Sequence, residues 1–150
     1  MVRLDDILVG RPPLNFLKVE TDGFDFEVLH GAEQTLRRDR PAMTIESMPG
    51  FHGEGEAING LRYLQSIGYR RFHLLDPAGH CFLSTDDANE AHANFDQHVY
   101  GTYCDILTCA AGSPAEKRLG THLVLRKGEL PAVATSGGRR GPLGWFRRRG

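Results

Sequence analysis

The feature that most restricts this chain is a short apolar run that stops at a turn and gives way to helical periodicity. Leu14-Asn15-Phe16-Leu17-Lys18-Val19-Glu20 is apolar over most of its length, with Lys18 as the interruption. Such a run suits a strand covered on both faces. Thr21-Asp22-Gly23 breaks it, and Phe24, Val28, Leu29, Ala32 and Leu36 then fall close to one helical face. Asp22 and Asp25 at the start, and Arg37 and Arg38 at the end, suit the two poles of a helix dipole. The pattern predicts one helix that Pro41 ends, with Gly31 inside it at a close packing contact.

The alternation continues. Ala42–Glu46 reads as a second strand, Met48 to Gly55 as a glycine-containing loop, and Ala57–Ile67 as a helix stopped by Gly68. Arg71–Leu75 reads as a third strand, Asp76-Pro77-Ala78-Gly79 as a turn, and His80–Leu83 as a returning hairpin arm. Residues 84–98 are polar and suit a surface loop or a short helix, and Tyr103–Cys109 suits a last strand. Ser113-Pro114-Ala115-Glu116 has the form of a capping box that opens a short helix before Gly120. Upstream, Arg3–Leu8 suits a helical turn that Arg11-Pro12-Pro13 stops. Strand–helix alternation implies right-handed crossovers, so the expected fold class is α/β with a mostly parallel sheet flanked by helices. From about residue 131 the composition turns to Pro, Gly, Ser and Arg. This divides the chain into a domain over 1–130 and a disordered basic tail over 131–150.

Charge and cysteine usage narrow the function classes. Residues 137–150 hold five arginines and no acid, yet the whole chain has a formal charge of −1, so the body is acidic. An acidic body with a basic end is not the footprint of a nucleic-acid-binding domain. The end itself, Trp145-Phe146-Arg147-Arg148-Arg149, reads first as a solvated disordered terminus and second as a patch for anionic lipid or nucleic acid. No apolar run is long enough to span a bilayer, and the charged start lacks a signal peptide's apolar core, so the expected compartment is the cytoplasm. Three cysteines at irregular spacing, Cys81, Cys104 and Cys109, suit reduced buried thiols. The seven histidines and these cysteines match no zinc spacing, so no metal is expected.

The stretch from Phe16 to Ala32, FLKVETDGFDFEVLHGA, resembles a signature of FkbM-type methyltransferases. In that family a strand ends in Lys-Ile-Asp, a Val-Glu-Gly or Thr-Asp-Gly turn follows, and an acidic-apolar helix ends in Leu-x-Gly-Ala. Leu4-Asp5-Asp6-Ile7-Leu8, Arg40-Pro41 before a strand closing on Glu46, and the Leu64–Tyr69 stretch with Gly68-Tyr69 also resemble family segments. The resemblance covers residues 4–75. It implies the second half of a Rossmann-like class I methyltransferase fold, with Asn15–Glu20 and Ala42–Glu46 as its fourth and fifth strands. It also implies the cofactor S-adenosylmethionine and methyl transfer to a hydroxyl of a sugar, glycan or natural product.

Ligands of open α/β sheets bind at the carboxyl ends of the strands. Methyl transfer to oxygen needs an acceptor that loses its proton and lies behind the sulfonium carbon, a task for a strand-end carboxylate. By the resemblance, the candidates are Glu20, Asp22 and Glu46. Glu20 stands where the family carries Asp, and its extra methylene displaces the carboxylate by about 1 Å. The competing reading makes Asp22 a helix cap and Glu20 the holder of a turn amide.

The family's donor-binding half, a strand with a glycine-rich turn and an acidic residue at the next strand end, has no counterpart before residue 14. Gly50-Phe51-His52-Gly53-Glu54-Gly55 lacks the spacing of a nucleotide fingerprint, so the cofactor-binding residues stay unassigned. The expected domain is therefore truncated. The first strand then keeps an open edge, which invites a second copy or a separate N-terminal partner. The alternative function is a non-catalytic remnant or interaction module.

Overall fold

The computed structural model describes residues 2–47, 55–98 and 103–122, with the side chains of residues 95–98 and 120–122 excluded. The Gly50–Gly55 loop, apart from Gly55, and the 131–150 tail lie outside the described residues. In chain order the elements are α1 (Leu4–Leu8), β1 (Phe16–Val19), α2 (Asp25–His30), α3 (Glu33–Asp39), β2 (Ala42–Ser47) and α4 (Glu56–Ser66). They continue with β3 (Tyr69–Leu75), β4 (Cys81–Thr85), α5 (Ala88–His98), β5 (Cys104–Ala110) and α6 (Pro114–His122).

The five strands form one sheet in the order β1-β2-β5-β3-β4. Only β1 and β2 pair parallel; β2–β5, β5–β3 and β3–β4 pair antiparallel. The expectation of a mostly parallel sheet is thus corrected to a mixed, mostly antiparallel one. The reason lies in the second crossover. Since β2 and β3 both run opposite to β5, they run parallel to each other, and α4 carries the chain between them across one vacant position. β5 fills that position from the far end and so runs backwards, while the tight Asp76–Gly79 turn makes β4 an antiparallel arm.

One sheet face forms the core. Val19, Met43, Ile45, Phe72, Leu74 and Ile106 project from it and are buried together with Leu29 and Leu36 from the α2–α3 crossover and Leu61 and Leu64 from α4. Each such side chain contributes roughly 1.5–3 kcal/mol on burial. α2 comes so close to α4 that a Cβ at Gly60 would run into the Phe26 ring.

The helix expected after the Thr21–Gly23 turn is two helices, broken at Gly31 and Ala32. The break is stabilised from a distance. The Gly31 carbonyl accepts a 2.9 Å bond from the Asp5 amide, and the buried Asp5 carboxylate accepts from the amides of Gln34 (3.1 Å) and Thr35 (2.9 Å). Asp5 in α1 therefore caps the N-terminus of α3, a role that most helices assign to the residue just before them. Residues 84–98, for which the sequence suits a loop or a short helix, hold the end of β4 and the eleven-residue α5. At α6, Ser113 Oγ accepts from the Glu116 amide at 3.1 Å and the Glu116 carboxylate accepts from the Gly112 amide. The capping signal is there, shifted by one residue on its return arm.

Candidate active-site rim

β1, β2 and β3 end on the same rim, and β5 begins there. Glu20 directly follows β1, Glu46 is the penultimate residue of β2, and the register sets Glu46 opposite Asp105 on β5. All three belong to the second sheet face, since their strand neighbours Val19, Ile45 and Ile106 fill the core. Lys18 shares that face, two residues before Glu20, and its ammonium forms an ion pair with the Glu20 carboxylate. Both side chains are about half exposed, at 58% and 49%.

The negative charges act on one another. Burial, then Glu20 and Asp105, raise the Glu46 carboxyl above its ordinary value; Lys18 pulls the other way. Burial also raises Asp105, with Glu20 adding and Lys18 opposing. A carboxylate that ionises less readily is a stronger proton acceptor once ionised.

The corner between β1 and α2 is fixed by a residue that the sequence reading treated only as a dipole partner. The buried Asp25 carboxylate accepts from the Thr21 amide (3.0 Å), the Thr21 hydroxyl (3.1 Å) and the Gly23 amide (3.3 Å). Three donors on one carboxylate hold the turn in the shape that sets Glu20 on the rim. The turn needs that help, because Asp22 and Gly23 have φ of 50° and 101°. The competing reading, in which Asp22 caps the helix and Glu20 holds a turn amide, is corrected: Phe24 is the cap position of α2 without a side-chain bond, and Asp25 holds the amides.

Of the three residues expected here, Glu20 and Glu46 come together at one patch. Asp22 is exposed in the left-handed turn beside it. Asp105 and Lys18 are the members that the sequence reading missed. Asp105 could have been suspected as an acid in an otherwise apolar strand, but its place opposite Glu46 depends on β5 entering between β2 and β3. Further along this face, Ser84 Oγ and His73 Nδ1 meet at 2.8 Å across β3 and β4. The three cysteines are free and buried. Among the described residues no cluster of three or more His, Cys, Asp or Glu is placed to hold a metal ion. No helix among them is long and apolar enough to cross a membrane.

Three carboxylates against one ammonium leave this rim acidic. The family model of the methyltransferase FkbM domain matches residues 1–71 of the 150-residue chain, in agreement with the resemblance read over residues 4–75. No curated protein and no solved structure gives a significant match.

Proposed function

We propose that this chain is the acceptor-side part of an S-adenosylmethionine-dependent O-methyltransferase, working at the rim formed by Glu20, Glu46 and Asp105. The FkbM domain match over residues 1–71 supports the reaction class. The observation that carries the site is the convergence of three carboxylates from β1, β2 and β5 on the end of the sheet where α/β ligands bind.

The methyl donor supplies an electrophilic methyl group on a positively charged sulfur. The acidic rim favours that positive charge, and Glu20 and Asp105 are the groups closest in kind to such a role. Glu46, with its carboxyl raised, takes the proton of the acceptor hydroxyl as the oxygen gains the methyl group. Lys18 holds Glu20 through their ion pair and so limits where its carboxylate points. Asp22, exposed in the turn that follows Glu20, serves in this reading as a further acceptor-orienting group. The adenosine-binding residues are not assigned among the described residues. The acceptor, in this reading, is a hydroxyl of a sugar, glycan or natural product. One domain over residues 1–130 and a cytoplasmic location complete the reading.

A second reading has its own observation. β1 is an edge strand, and its flanking Phe16 and Phe24 are 53% and 65% exposed. That favours an interaction module that keeps the fold without catalysis.

Calorimetric titration of the full chain with S-adenosylmethionine separates the two. Binding in the micromolar range that weakens at least about tenfold in Glu20→Gln supports the methyltransferase reading. No heat of binding at millimolar donor, by a chain shown folded by circular dichroism, refutes catalysis by this chain alone.

A further inference from the structure

A cavity opens at the other end of the sheet. β1 and β2 start there and β5 finishes there, so it lies opposite the acidic rim. The cavity measures about 650 Å³ and has three walls: the residues before β1, the corner between α3 and β2, and one flank of α6. That volume is within the range of small-molecule sites, roughly 300–1,000 Å³. β2 is six residues long, which sets the cavity about 20 Å from the rim. A small molecule seated in it does not reach Glu20 or Glu46.

We infer that this cavity binds the phosphate group of a small organic phosphate, with Arg40 and Arg118 as its anchors. The lining supplies two guanidiniums and one carboxylate. That carboxylate, Asp39, is already committed. Arg38 donates to it in a two-pronged pair at 2.6 and 2.8 Å, and the Leu14 amide adds a third bond at 2.9 Å. Its side chain is only 2% exposed, so it presents little negative charge to a ligand. The acid of α6, Glu116, accepts from the Gly112 amide and is not part of the lining.

The two arginines come from different elements and are both exposed. Arg40 ends α3 with φ of 52°, a left-handed position that usually falls to glycine. Its guanidinium donates to the Ala111 carbonyl, which fixes the group without neutralising its charge. A guanidinium carries five N–H donors, so a fixed one still presents a fork. Two forks match the several oxygens and the double charge of a phosphate monoester better than the two oxygens of a carboxylate. The rest of the wall is largely apolar, with Leu14, Pro114, Ala115 and Leu119, and inorganic phosphate would leave it uncovered. The ligand is therefore a phosphate on a carbon body, either a soluble molecule or a lipid headgroup. The site is independent of methyl transfer at the rim.

Two-dimensional NMR of the isotope-labelled full chain, titrated with phenyl phosphate at constant ionic strength, tests the site. The amides of Asn15, Arg40, Ala115 and Leu119 shift and saturate with a Kd at or below about 1 mM, and inorganic phosphate binds more weakly. Arg118→Gln and Ala115→Trp, each shown folded by circular dichroism, weaken phenyl phosphate at least about tenfold; the second fills the cavity and removes no charge. Arg62→Gln, which removes an exposed arginine of α4, leaves the affinity unchanged. Vesicles of phosphatidylcholine with phosphatidic acid distinguish the two sources. Co-sedimentation of wild type that Arg118→Gln abolishes assigns the phosphate to a headgroup; phenyl phosphate binding without co-sedimentation assigns it to a soluble molecule. No saturable shift up to about 10 mM phenyl phosphate overturns the site. So do shifts centred on Glu20, Glu46 and Asp105, an affinity that neither cavity variant lowers, a loss as large in Arg62→Gln, or inorganic phosphate binding as tightly as phenyl phosphate.

Discussion

The Thr35 amide donates to the carboxylate of Asp5, thirty positions earlier, at 2.9 Å. With the bond from Gln34 and the backbone bond from Asp5 to Gly31, it ties α1 to the break between α2 and α3. A five-residue helix this short does not hold itself together. It persists because its aspartate completes the end of another helix. The Leu4–Leu8 segment of the family resemblance thereby acquires a physical role.

Asp5→Ala leaves two amides of α3 without their acceptor and lowers stability by about 1–2 kcal/mol, read by urea denaturation at pH 7. Burial works against the Asp5 charge, but the Thr35 and Gln34 amides and Arg3 outweigh it and hold the carboxyl below its usual 3.8. The stabilisation is therefore complete above that value and is lost as the pH falls through the lower folded value. The variant should lose that part of the wild type's acid sensitivity.

Asp25→Ala removes the acceptor of two amides and a hydroxyl at the β1–α2 corner. The expected cost is about 1–3 kcal/mol in chemical denaturation. If the rim methylates, the variant also loses activity beyond its loss of folded fraction, because Glu20 is no longer held in place. Activity per folded molecule is the quantity to compare.

Gly60→Ala sets opposing effects against each other. Alanine is favoured over glycine in a helix by about 1 kcal/mol. Its Cβ, however, meets the Phe26 ring between α4 and α2. Overpacking of this kind costs about 1–3 kcal/mol, so a net loss of stability is expected on thermal melting. The companion variant Gly60→Ala/Phe26→Leu should recover part of it.

Glu46→Gln should raise the melting temperature at pH 7. The Glu46 carboxyl is raised in the folded chain, by burial and then by Glu20 and Asp105, with Asp25 adding and Lys18 opposing. A raised carboxyl favours folding when protonated, so its penalty sets in as the pH climbs above the ordinary 4.5 and is complete above the folded value. Melting temperatures of wild type and variant should converge as the pH is lowered towards that range. A variant less stable than wild type at pH 7 would contradict the repulsion.

Turn and period signals are local, and they were legible. Val19 to Glu20 ending at Thr21-Asp22-Gly23, Gly68 closing α4 with φ of 102°, and Ser113 opening α6 are each decided by residues within a few positions. The family resemblance rests on the same short stretches. The break at Gly31 escaped because Phe24, Val28, Leu29, Ala32 and Leu36 continue the helical period straight through it. The stabilising partner, Asp5, lies outside any local window.

The sequence by itself determined which segments extend and which coil, where Glu20 and Glu46 stand on their strands, and that the chain resembles a methyltransferase. Only the tertiary structure decided that β5 enters between β2 and β3, because strand order depends on which crossover leaves a vacant position and not on the strand's own residues. That insertion makes the sheet mostly antiparallel and brings Asp105 opposite Glu46. Burial and Glu20, brought close by the β1–β2 pairing, raise the Glu46 carboxyl first, and that insertion adds Asp105 to them across 59 residues of chain.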